Sequence, residues 1–143
     1  MPAIFEYHHA VTDAEIDDVL RHVNNLAYLK WMQMAAMAHS AAQGWPTEAY
    51  LKLGAGWVVR SHQIEYLSPA LPGDVIVVRT WVADLAKATS LRRYKIVRPG
   101  KTQETILAVA ATDWAFIQFA NHLPRRIPAE VASAFEIVPD LPA

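Results

Sequence analysis

The chain has 143 residues, 53% hydrophobic and 19% charged, with a formal net charge of −1. This suits one domain over residues 1–143 with a continuous core, and excludes a disordered or collagen-like chain. The charge gives no bias toward nucleic acid or an anionic membrane. The lack of cysteine excludes a disulfide scaffold, a Cys-based zinc site and a thiol nucleophile, and fits a reducing cytoplasm.

The start, MPAIFEYHHAVTD, has neither the basic end nor the apolar core of a secretory leader. Residues 4–12 read as a first strand, rich in β-branched and aromatic types. Residues 13–25 are polar and carry four acids, Asp13, Glu15, Asp17 and Asp18. They read mainly as a loop that could begin a helical turn.

Residues 26–43 read as a helix of strong helix formers, with Asn24 or Asn25 as cap and Gly44 and Pro46 as stop. Apolar side chains fall on nearly every face, including Leu26, Tyr28, Trp31, Met34 and Met37, so the helix is expected to be buried on most sides. Lys30, Gln33, His39 and Gln43 interrupt the run, which argues against a membrane span.

Residues 47–53 form a short second helix, closed by Gly54 and Gly56. The texture then becomes strand over 57–67, 74–85, 89–98 and 104–120, with Pro- and Gly-marked turns between. Such long antiparallel strands must coil, and a coiled sheet can wrap a helix. The expected fold is therefore α+β: a long central helix wrapped by a curved five-stranded antiparallel sheet. Residues 128–135 close with a helical turn.

The sequence lacks a Gly-x-Ser-x-Gly elbow, a P-loop and a Gly-x-Gly-x-x-Gly turn. Its histidines show no metal spacing, and no metal is expected. What remains is the polar cluster before the helix: Asp18, His22, Asn24 and Asn25. A helix start offers unpaired N–H groups that can hold an oxyanion, and a carboxylate beside it can act as base or nucleophile. The same residue types also serve as simple caps, and spacing alone favours that reading, because capping is the commoner use of Asp and Asn.

The pattern Asp18-x-x-x-His22-Val23-Asn24-Asn25-x-x-Tyr28-Leu29-x-Trp31 resembles the signature of hotdog-fold thioesterases. These include 4-hydroxybenzoyl-CoA thioesterase-like acyl-CoA hydrolases and the related acyl-ACP thioesterases. The resemblance continues through Ile64-Glu65-Tyr66-Leu67-x-Pro69-Ala70, Gly73-Asp74 and Pro124-Arg125-Arg126-Ile127-Pro128. It implies a hotdog fold, Asp18 as catalytic carboxylate, and a backbone N–H at Asn25 polarising the thioester carbonyl. It implies no cofactor, and a homo-oligomer, dimer or tetramer, with active sites between subunits.

Leu20 stands where the acyl-ACP pattern has a second polar residue, so the Asp18-centred acyl-CoA mechanism is preferred. The helix has no acid, and Gln33 is the nearest substitute, which disfavours a helix-borne glutamate base. Asp17 is the register alternative to Asp18. His22 either bonds the substrate carbonyl or ties its loop to the sheet. Glu65 and Asp113 are expected to be paired structural acids. Arg60, Arg92, Arg93, Arg98, Lys101, Arg125 and Arg126 are candidate contacts for coenzyme A phosphates. Trp31, Trp45, Trp57 and Tyr66 are candidate walls of an acyl pocket. The alternatives are an acyl-ACP substrate, or an acyl-binding protein of the same fold without turnover.

Overall fold

A computed structural model of the chain describes residues 3–17 and 19–139. In chain order its elements are β1 (Phe5–Ala10), a 3₁₀ turn (Asp13–Glu15), α1 (Asn25–Ala42), α2 (Thr47–Leu53), β2 (Ala55–Tyr66), β3 (Val75–Leu85), β4 (Thr89–Arg98), β5 (Thr105–Gln118) and α3 (Ala129–Ala132). The strands form one antiparallel sheet in the order β1-β3-β4-β5-β2, so β1 and β2 are its edges. The expected long helix against a five-stranded antiparallel sheet is thus present. Register shifts in β2 (Val59/Ser61), β3 (Val82/Asp84) and β4 (Ile96/Val97) bend long strands that would otherwise run flat.

The main core lies where α1 packs on β1 and β3. Tyr28, Trp31, Met32 and Ala35 of α1 meet Ile76, Val78, Tyr94, Ile96 and Leu107 of the sheet. A second core, Ala55, Phe116, Ile127 and Val131, closes the far end of the molecule, where α2 and α3 lie. Beyond α3 the chain returns to the sheet, Val138 N–H donating to the Val82 carbonyl (2.9 Å).

Helix α1 corrects one expectation. It is not buried on most sides: Ala27, Tyr28, Trp31, Met32, Ala35, Ala36 and His39 are covered, while Leu26, Gln33 and Met37 are exposed. One sheet covers one side of a helix, and among the described residues no second layer covers the opposite face. Among the described residues no helix is long and apolar enough to cross a membrane.

Candidate active site

The start of α1 is built by capping. Asn24 has extended backbone, its Oδ1 accepts from Leu26 N–H (2.7 Å), and its carbonyl accepts from Ala27 N–H (3.0 Å). Asn25 N–H has no acceptor among the described residues. It is the first helical N–H, at the positive end of the helix dipole. Both asparagines are exposed.

The preceding loop is a tight lobe pinned at its neck. Ile16 bridges to Val23, Asp17 N–H donates to the His22 carbonyl (2.7 Å), and Asn24 N–H donates to that of Glu15 (2.7 Å). Asp17 Oδ1 accepts from Val19 and Leu20 N–H (2.9 and 3.3 Å), and Arg21 closes the turn with φ of 56°. Asp17 is therefore a turn-forming residue. Asp18 lies outside the described residues. The His22 side chain is exposed and bonds no described residue, so it does not tie the loop to the sheet.

The residue that does tie it was missed as a site residue. Glu15 accepts from His9 Nε2 (2.9 Å), Trp31 Nε1 (2.7 Å) and Thr12 N–H (2.8 Å), joining β1, the loop and α1. Burial works against its charge, but these hydrogen bonds outweigh burial and hold its carboxyl below the usual value. The Thr12-x-x-Glu15 spacing of a capping box was the signal in the sequence.

The weaker pieces of the sequence pattern converge under the same helix start. Tyr28 Oη accepts from Ala70 N–H (2.9 Å), and the Ala70 carbonyl accepts from Val23 N–H (3.0 Å). Tyr66 Oη donates to the Asn25 carbonyl (3.2 Å) and its ring meets Tyr28 edge-on at 5.1 Å. Asp74 accepts from Leu71 N–H (2.9 Å) and from Arg98 (2.8 Å), which fixes the loop that carries Ala70.

A cavity of about 320 Å³ lies toward the other end of α1, beside Gln33, Met37 and Ser40, and is walled by Trp45, Tyr50, Trp57, Trp114, Phe119 and Phe135. Trp57 Nε1 donates to Tyr50 Oη (3.1 Å), itself 2.9 Å from Ser40 Oγ. Arg125 and Arg126 belong to this end, Arg126 exposed and Arg125 half-buried with Nη1 at 3.5 Å from the Leu53 carbonyl. β2 runs from here to Tyr66 beside the helix start, a span on the order of 35 Å for its length. Within one chain the predicted residues thus fall into two groups. Asn24, Asn25, His22 and Tyr66 are together, while Trp57, Arg125 and Arg126 stand apart from them.

Several expectations need correction. Arg92 is not available to a coenzyme A phosphate at the surface. It is 6% exposed and lies under α1, donating to His39 Nδ1 (2.9 Å) and Thr80 Oγ1 (3.0 Å). Its inward face follows from strand alternation, since it pairs directly with the buried Thr112. Arg98 is held by Asp74. Trp31 is a core residue bonded to Glu15, not a pocket wall. Glu65 is exposed with no ion-pair partner among the described residues, and Asp113 meets Arg60 only at 3.9 Å. Among the described residues no three His, Asp or Glu side chains are grouped to hold a metal ion.

A family model described as the thioesterase-like superfamily matches residues 11–135. Among solved structures, a 1,4-dihydroxy-2-naphthoyl-CoA thioesterase from Synechocystis is 19% identical with a TM-score of 0.81, covering 92% of this chain and 94% of its own. A gentisyl-coenzyme A thioesterase is 21% identical with a TM-score of 0.80, covering 92% and 99%. A mutant 4-hydroxybenzoyl-CoA thioesterase complexed with 4-hydroxybenzoyl-CoA is 15% identical with a TM-score of 0.84, covering 94% and 99%. At such identities the likeness is one of fold. The comparison with curated proteins finds no match.

Proposed function

The chain belongs to the thioesterase-like superfamily, and from that premise we propose that it hydrolyses an acyl-CoA thioester to the free acid and CoA within one hotdog domain. The observation that carries the reading is the open start of α1. Asn24 spends its side chain on Leu26 N–H, which leaves the Asn25 N–H, at the positive end of the dipole, for an incoming carbonyl oxygen.

In the proposed reaction that N–H polarises the thioester carbonyl. Asp18 either takes a proton from water as the water oxygen attacks the carbonyl carbon, or attacks the carbon itself and is released by water afterwards. In both routes the oxyanion collapses, the C–S bond breaks, and the CoA thiolate takes up a proton. His22, exposed beside the same helix start, is the candidate second contact to the carbonyl. Arg125 and Arg126 are the candidate contacts for the nucleotide phosphates, with Trp57 in the acyl pocket.

The separation of the two residue groups supports a homo-oligomer. β2 is an edge strand, and antiparallel pairing with β2 of a second copy sets the Tyr66 end of one chain beside the Ala55 end of the other. One chain's helix start would then face the other's cavity and arginine pair. The lack of cysteine supports a cytoplasmic setting.

Replacing Asp18 by Asn tests the proposal. An amide caps a turn about as well as a carboxylate but neither accepts the proton nor forms an acyl intermediate, so kcat should fall at least ~10²-fold with folding intact. Asp17→Asn keeps the acceptor for Val19 and Leu20 and should be nearly silent. Wild-type turnover by Asp18→Asn on the best thioester of a CoA panel overturns the mechanism.

A further inference from the structure

Arg92 is a buried cation with no counter-ion among the described residues. A guanidinium carries five N–H donors. Here Nη1 serves His39 and Thr80, and the donors on Nε and Nη2 meet no acceptor among the described residues. Both partners are neutral. Burial, with the Arg92 charge adding to it, pulls His39 down to about 4, so near pH 7 its Nδ1 accepts and carries no charge. Among the described residues no carboxylate lies within ion-pair distance of Arg92; Glu104 is engaged with Arg79 and Asp74 with Arg98. Burying a cation this way is costly unless its remaining donors are met, by water in the cavity or by an anion.

The cavity supplies the room. Arg92 lines it together with Ser90 and Trp114, and Trp45, Tyr50, Trp57, Phe119 and Phe135 give its other walls an aromatic share. Trp114 Nε1 is also buried without a hydrogen-bond partner among the described residues; Tyr94 Oη lies near it but outside bonding geometry. A second donor without an acceptor thus belongs to a residue of the same wall.

We propose that this cavity binds an apolar, preferentially aromatic, body that ends in a carboxylate, with the carboxylate paired to Arg92. The aromatic walls take the body, and the free guanidinium edge takes the anion in the fork geometry that suits it. Two sources carry that chemistry: the far end of an acyl group still joined to CoA, or a free organic acid such as the product of hydrolysis.

The first measurement does not depend on catalysis. Trp45, Trp57 and Trp114 line the cavity, so tryptophan fluorescence, checked by calorimetry, should follow titration with 3-phenylpropionate and with its amide. The acid is expected to bind at least ~10-fold more tightly than the amide. Arg92→Met, close in length and free of charge, should bring the two within about twofold, and Arg92→Lys should restore part of the preference. Equal affinity of acid and amide for the wild type, or binding of neither, overturns the proposal without any variant. An acid preference that survives in Arg92→Met overturns it as well.

The second measurement rests on the thioesterase reading and separates the sources. If the anion belongs to the substrate, adipoyl-CoA should exceed hexanoyl-CoA in kcat/KM at least ~10-fold in the wild type and lose that lead in Arg92→Met. If it is a free acid, the two thioesters should be equal and 3-phenylpropionate should inhibit the wild type alone. A protein that binds the acid yet cleaves no thioester would retain this site and refute the proposed function.

Discussion

His39 is buried and Glu15 half-buried, and they govern different parts of the acid limb. Folded His39 takes up a proton near pH 4 and unfolded His39 near 6.5. Between those values the unfolded chain binds the extra proton. Its stabilising effect is therefore full above about pH 6.5 and shrinks toward pH 4, by at most roughly 3 kcal/mol. His39→Gln keeps an acceptor for Arg92 but does not titrate, so urea midpoints at pH 7, 5.5 and 4.5 should fall less steeply than in the wild type. Glu15 has a lowered carboxyl pKa, so its contribution is present above its unfolded value of 4.5 and lost beneath it. Glu15→Gln should cost about 2 kcal/mol near pH 7, where the charge-assisted bonds to His9, Trp31 and Thr12 are intact. The difference from wild type should narrow below pH 4.

At the level of elements, the site depends on how the Pro69–Ala70 loop is hung on α1. Tyr28→Phe removes the acceptor of the buried Ala70 N–H and should cost about 1–3 kcal/mol in chemical denaturation. Because that loop also holds Val23, the neck of the lobe should exchange its amides faster in the same variant. The β4–β5 turn is tight for a different reason. A Cβ on Gly100 would come 2.2 Å from the Gln103 carbonyl oxygen, which is backbone and has no rotamer to retreat into. Gly100→Ala should destabilise by about 1–3 kcal/mol, read as a lowered urea midpoint, with no effect on the acid preference of the cavity.

At the scale of the molecule, Leu26, Met37 and Leu51 are exposed, and β2 offers a long free edge. Light scattering should give particles at a multiple of 16.0 kDa. Particles of one chain across micromolar concentrations would remove the shared site. Replacing Arg125 and Arg126 with Ala should raise KM for acyl-CoA far more than it lowers kcat, since nucleotide contacts lie away from the bond broken. If sites are shared between chains, mixing that variant with Asp18→Asn should regain activity below KM, to roughly a quarter of wild type for randomly exchanged dimers. No recovery on subunit exchange would mean that each chain carries a complete site.

Local information was sufficient for the elements. The α2 bounds and those of β4 match the reading of the sequence, because Pro46, Gly54, Pro99 and Gly100 act on their own neighbours. The start of α1 was legible for the same reason: Asn24 reaches Leu26 within one turn. The spacing of the Pro69-Ala70 and Gly73-Asp74 pieces could be seen in the sequence, but their purpose could not. Ala70 meets Tyr28 across 42 positions, a contact that only the folded chain makes. Arg92 shows the limit most plainly. In the sequence it is one strand arginine beside another, Arg93. Which of the two turns inward depends on the pairing of β4 with β3 and β5, and that register is set by strands separated along the chain. Tertiary pairing therefore decided that the charge faces a cavity rather than water, and that the two groups of site residues lie at opposite ends of β2.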